Sequence, residues 1–160
     1  MNLGWPQDAS FFVPDGVAER GREVAGRGAR THAAWRKRFD SWAEAHPAAA
    51  KELTRRLAGR LPEGWTEALP VTPFGAKGPA TRAASGTVIN AIAEILPEMV
   101  GGSADLGPSC KTTINASEAM TRGSWGGRNL HFGIREHAMG AVLNGLALHG
   151  GVRPFGSTFL

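Results

Sequence analysis

Between Asn129 and Phe159 the chain shows a short apolar run ending at Gly133, then an apolar helical pattern from Glu136 to His149. A Gly150-Gly151 stop and a second extended run from Val152 follow. A strand, a helix and a strand in such close succession make a crossover unit, and with a further candidate strand at Met99-Val100-Gly101-Gly102 they predict an α/β fold with a largely parallel sheet. Open sheets of this kind bind ligands outside the carboxyl ends of their strands. The spacing puts Glu136 in the first turn of the helix at that edge. A carboxylate there is either a surface charge that complements the helix dipole or an aimed chemical group.

The rest of the chain frames that unit. Pro14-Asp15 predicts a helix start, with a first helix running to about Val24-Ala25. Gly26 and Gly28 predict an interruption, at roughly 1 kcal/mol each relative to alanine. A second helix follows over about 29–45, where Trp35, Phe39 and Trp42 recur at helical spacing and are expected to pack in a core. After His46-Pro47 a third helix is expected over roughly 48–59, with Leu53 and Leu57 on its buried side. Residues 65–79 carry Pro70, Pro73, Gly75, Gly78 and Pro79 and predict a linker. Thr81 to Leu96 predicts a helix on which Ala84, Val88, Ala91, Ile92 and Ile95 form an apolar stripe, closed by Pro97. Residues 107–127 are polar and predict a loop.

Composition removes several function classes. No run of about 18 apolar residues predicts a membrane span, and Met1 to Phe12 lacks the basic segment and apolar core of a signal peptide. A single cysteine, Cys110, excludes an intramolecular disulfide and suits a reducing cytoplasm. The net charge is +4 and the pI about 10.0, but the arginines fall mostly in the first half, interleaved with glutamates on solvated helix faces. Nucleic-acid binding is therefore not expected, whereas anionic small molecules fit the charge. His131, His137 and His149 fall on a strand, in a first helical turn and near a helix end, so metal ligation by them is not expected.

Two motifs then point to a family. Gly101-Gly102-Ser103-Ala104-Asp105-Leu106-Gly107-Pro108-Ser109 and Phe132-Gly133-Ile134-Arg135-Glu136-His137-Ala138-Met139 resemble transketolase, and the match extends through Asn144-Gly145-Leu146-Ala147 and Gly156-Ser157-Thr158-Phe159-Leu160. It reaches back to Ala80-Thr81-Arg82 and to Leu3-Gly4-Trp5-Pro6. The related deoxyxylulose phosphate synthases typically carry Ala-Glu-Gln-His where this chain has Arg-Glu-His-Ala, which favours transketolase proper.

The resemblance implies an internal slice of such an enzyme. Residues 1–64 correspond to the helical tail of the diphosphate-binding domain, 65–79 to the interdomain linker, and 80–160 to the first part of the pyrimidine-binding domain, with an incomplete, mainly parallel sheet. It further implies thiamine diphosphate as cofactor, sugar-phosphate substrates and a homodimer with the active site at the subunit interface. The reaction implied is transfer of a two-carbon ketol unit from a ketose phosphate to an aldose phosphate. By the same resemblance Glu136 is the catalytic glutamate, a rigidly placed acid in a partly desolvated pocket that holds a ring nitrogen of the aminopyrimidine. Asp105 and Leu106 match residues near the cofactor. Arg82 and Ser109 match positions that hold the sugar phosphate, an arginine fork with a hydroxyl being a sound phosphate clamp. Cys110 stands where the family often has asparagine. The Gly-Asp-Gly motif expected to hold Mg2+ (or Ca2+) with the diphosphate does not occur in the sequence, so an upstream domain would supply it and the chain alone is expected to be inactive. The other class of function open to the sequence is a non-catalytic interaction module.

Overall fold

A computed structural model describes residues 4–6, 8–75 and 77–159 of the chain. Leu3 and Leu160, which belong to the quoted motifs, lie outside the described residues. The chain divides into two compact units, residues 1–50 and 51–160.

The first unit is dominated by one helix, α1 (Val17–Ala45), 29 residues long. It begins later than expected: Gly16 takes a left-handed conformation at φ 83° as its N-cap, leaving Asp15 outside. The predicted break at Gly26 and Gly28 does not occur, and neither glycine has positive φ. Alanine, arginine and glutamate dominate the flanking turns, and their helical preference outweighs two glycine penalties. The predicted aromatic stripe forms, but it is not a core. His32, Trp35, Phe39, Trp42 and His46 stack along one face with centroid separations of 5.9, 5.2, 5.8 and 5.9 Å. No residue of α1 is buried, and Trp35 remains 41% exposed. Periodicity defines a face; it does not provide the layer that covers it.

In the second unit the sheet comes from β1 (Met99–Ser103), β2 (Asn129–His131) and β3 (Arg153–Ser157), parallel throughout and ordered β2-β1-β3. Gly101 lies opposite both Asn129 and Phe155, and Ser103 opposite both His131 and Ser157. Glycine is required in the central strand, since a Cβ on Gly101 would strike the Phe155 carbonyl and one on Gly102 the Leu130 carbonyl. Helix α2 (Pro47–Leu57) enters this unit from the end of the first. Leu53 is half-buried, but Leu57, expected inside, is 54% exposed. The expected linker contains a 3-10 turn at Trp65–Ala68 that packs on α3 (Thr81–Ile95).

Helix α3 is covered on both sides, most deeply on the one opposite its apolar stripe. Its fully buried residues are Gly86 and Ala93, on the side opposite the Ala84, Val88, Ala91, Ile92 and Ile95 stripe, which is half-buried. The small residues allow the closer approach: a Cβ on Gly86 would sit 2.8 Å from Lys111 Cβ and from its carbonyl oxygen. The predicted loop 107–127 opens with a single helical turn, α4 (Gly107–Cys110), and carries a bridge from Ala119 to Asn129. The last helix, α5 (Glu136–His149), has the predicted bounds and packs on β3. Only Met139 is buried on it, whereas Val142 is 46% and Leu148 89% exposed. Gly150 and Gly151, at φ 78° and 82°, turn the chain from α5 into β3, a conformation that glycine adopts without strain.

Candidate functional site

The site candidates sit where β1 and β2 end. Because these strands are parallel neighbours, with Ser103 paired to His131, their following loops leave the same edge of the sheet. After β1, Ala104 is buried and Asp105 adopts φ 62° with its side chain exposed. A left-handed aspartate is uncommon but tolerated where its short side chain bonds locally or a tight turn demands it. Here the turn is closed by the Leu106 N–H donating to Ser103 Oγ at 2.9 Å. Leu106 is half-buried and leads into α4, where Ser109 is exposed and Cys110 is buried.

After β2 the chain turns on Gly133, at φ 67°. The Arg135 guanidinium packs where a Gly133 Cβ would lie, and its Nη1 donates to the Phe132 carbonyl at 2.9 Å. The Arg135 N–H donates to the Gly133 carbonyl at 2.8 Å. Arg135 thus braces the turn that launches α5. Glu136 is the first residue of that helix, where the free N–H groups and the dipole favour a negative charge. Its side chain is exposed, and among the described residues it makes no side-chain hydrogen bond or ion pair. The desolvated pocket expected around it is not formed by the described residues.

Arg82, the second residue of α3, is exposed and likewise unpaired among the described residues. Its helix packs against α4, which carries Ser109. An open groove of about 600 Å³ runs between them, lined by Ala83, Gly86, Thr87 and Asn90 on one side and by Pro108 and Lys111 on the other. Arg82 and Ser109 adjoin these residues in sequence without lining the groove themselves. A smaller crevice of about 260 Å³ opens at the carboxyl ends of β1 and β2, with Ser103, Thr112, Thr113, Asn129 and His131 in its wall. Glu136 and Asp105 do not line it. No hydrogen bond or ion pair links Arg82, Asp105, Ser109 and Glu136 to one another among the described residues. No group of three or more His, Cys, Asp or Glu side chains among the described residues is placed to hold a metal.

One positioning residue escaped the sequence reading. Asn129 is 8% exposed, and its amide organises the loop beside the crevice. Oδ1 accepts the Ile114 N–H at 2.8 Å, while Nδ2 donates to the carbonyls of Ile114 at 3.0 Å and Ser117 at 2.6 Å. Ile114 is completely buried. The signal was an amide at the first position of a short predicted strand, where burial is costly unless its polar atoms are paired.

Comparison with known proteins identifies the family and the fold. Residues 77–160 match the family model "Transketolase, pyrimidine binding domain", and residues 1–62 match "Transketolase, thiamine diphosphate binding domain". The chain is 44% identical over 167 residues to transketolase of Mycobacterium tuberculosis strain H37Rv, covering 99% of the chain and 24% of that protein. It is 47% identical over 156 residues to transketolase of Geobacillus stearothermophilus, covering 97% of the chain and 23% of the relative. The crystal structure of Pichia stipitis transketolase in complex with sedoheptulose-7-phosphate superposes with a TM-score of 0.86 at 36% identity, over 98% of this chain and 24% of that one. Transketolase from Leishmania mexicana gives 0.84 at 34% identity, over 98% and 23%. The chain spans about a quarter of the length of the relatives it matches. From its two motifs, its parallel sheet and these matches, the chain belongs to the transketolase family.

Proposed function

We propose that the chain contributes Glu136 and its surrounding edge to a thiamine diphosphate enzyme that transfers a two-carbon ketol unit from a ketose phosphate to an aldose phosphate. The carrying observation is the exposed, unpaired Glu136 carboxylate at the start of α5, on the sheet edge shared with Asp105 and Leu106. The carboxylate suits the cofactor's pyrimidine: without a hydrogen-bond or ion-pair partner among the described residues it can bond a ring nitrogen, and the Arg135 brace holds the turn beneath it. When bound, thiamine diphosphate supplies the stabilised carbanion chemistry on which ketol transfer depends. With the cofactor bound, Glu136 would hold the proton between its carboxylate and that ring nitrogen and so orient the ring. Asp105 and Leu106 bound the cofactor from the neighbouring loop. Arg82 and Ser109 bind the sugar phosphate, the arginine by paired N–H donors and the serine by its hydroxyl.

In this reading a divalent cation, Mg2+ or Ca2+, is held with the diphosphate by another segment of the enzyme. The family segments run 1–64, 65–79 and 80–160, and the enzyme works in the cytoplasm in pentose phosphate or Calvin-cycle metabolism. A second copy covers the apolar outer side of α5, making a homodimer with the site at its interface. Exposure of Ala141, Gly145 and Leu148, on the side of α5 opposite the buried Met139, supports that cover. The test uses a chimera in which this chain replaces the matching quarter of the Geobacillus stearothermophilus relative. There Arg82→Ala raises KM for a phosphorylated acceptor at least tenfold and leaves an unphosphorylated one within threefold. Equal effects on both acceptors remove Arg82 from phosphate binding.

A further inference from the structure

The most heavily buried charge in the second unit lies outside the site, at the opposite edge of the sheet. Glu98 directly precedes β1 and is 2% exposed. Arg55 of α2 grips it with both ends of its fork, Nη1 to Oε1 and Nη2 to Oε2, each at 2.8 Å. The same guanidinium binds Glu52 through Nε at 2.9 Å and Nη2 at 2.7 Å, and donates to the Arg60 carbonyl at 2.6 Å. Arg56 Nε reaches Glu52 at 2.8 Å. From the start of β3, Arg153 Nη2 donates to the Gly59 carbonyl at 2.6 Å, while Nε stands 3.7 Å from Glu98. The Arg153 N–H closes the ring on the Glu98 carbonyl at 2.9 Å. Burial alone would raise the Glu98 carboxyl, but hydrogen bonds from Arg55 and its own backbone, with the charges of Arg55 and Arg56, hold it below the usual carboxylate range.

A bidentate arginine–carboxylate pair this deep differs in kind from Arg20–Glu23 and Arg36–Asp40, whose side chains are all more than half exposed. Separating it strands a charge in a dry environment, which is strongly unfavourable. We propose that residues 51–60 and the sheet of residues 98–157 are one cooperative unit locked by the Arg55–Glu98 pair. The folding boundary then falls within α2, although the family match to residues 1–62 assigns this stretch to the other domain and the proline- and glycine-rich segment 65–79 looks like the natural divide. The inference does not depend on the reading of Glu136.

Amide hydrogen exchange on the complete 160-residue chain tests it. Protection over residues 51–57 matches that over 99–103 within tenfold, and both fall at least tenfold in Glu98→Gln and in Arg55→Lys. The lysine variant keeps the charge and removes the fork, so it serves if Glu98→Gln fails to fold; Arg36→Gln changes neither segment. Protection over 51–57 more than tenfold below that over 99–103, absence of protection in both, or a variant that releases 51–57 alone overturns the proposal.

Discussion

Replacing Asn129 by alanine isolates what one buried amide does for the loop that walls the β1–β2 crevice. In the parent structure the side chain makes three hydrogen bonds to the backbone of Ile114 and Ser117. The Ile114 carbonyl keeps a second donor, the Ser117 N–H at 3.1 Å. The Ile114 N–H has no substitute in this wholly buried position, and an orphaned buried donor costs about 1–3 kcal/mol. Loss of the two Nδ2 bonds adds about 0.5–1.5 kcal/mol each. The sum is about 2–6 kcal/mol, a large share of the stability of a domain at ~5–15 kcal/mol. Urea unfolding followed by tryptophan fluorescence reads this as a lower midpoint at an unchanged slope. Asn129→Asp should not rescue the loss, because it keeps the acceptor for Ile114 but faces a carboxylate to two carbonyls. Asn115→Ala, at an exposed position whose backbone N–H rather than side chain bonds Asn90, should stay within about 0.5 kcal/mol. If Asn129→Ala loses less than about 1 kcal/mol, the amide does not organise the loop.

Three further outcomes follow from particular residues. Gly28→Ala should stabilise α1 by about 1 kcal/mol, since a Cβ there meets nothing within 4 Å and φ is not positive; an unchanged or lower helix melting temperature by circular dichroism contradicts this. Gly133→Ala should destabilise by at least about 1–2 kcal/mol in thermal unfolding, because it combines φ 67° with a clash against Arg135, and a neutral result would mean the turn relaxes freely. Hydrogen bonds from Arg55, then Arg56, hold the Glu52 carboxyl down at about 2 from an ordinary 4.5. With the folded value depressed, its contribution to stability is full above the ordinary value and is lost as pH falls towards 2. A pH series of urea midpoints should therefore be flatter in this acid window for Glu52→Gln, and parallel curves refute the coupling.

How much could be read from the sequence depended on whether the determinant was local. The bounds of α5, the Gly150-Gly151 stop and the parallel direction of the strands follow from an apolar helical run between two extended runs and from glycines placed where the chain must turn. The placement of Glu136 at the sheet edge follows from the same pattern. What was not legible depended on partners distant in sequence. The most deeply buried face of α3 is set by Lys111 lying against Gly86, and no periodicity within the helix reports that. Asn129 acts on a segment 12 to 15 residues away, and Arg55 meets Glu98 across 43. The α1 glycines failed as breakers because a propensity cost of about 1 kcal/mol is small beside the cooperative gain of continuing a helix.

The role proposed for Glu136 is acid–base work on the cofactor. It is tested most directly by ketol transfer in the chimera described above, comparing Glu136 with Glu136→Gln at matched folding. A positioned acid–base group contributes about 10²–10⁴-fold, so the glutamine variant should lose at least about a hundredfold in kcat with its circular dichroism unchanged. The purified 160-residue chain, given thiamine diphosphate, magnesium and both sugars, should show no turnover. A glutamine variant that retains kcat within a few-fold of the parent chimera removes Glu136 from acid–base work on the cofactor.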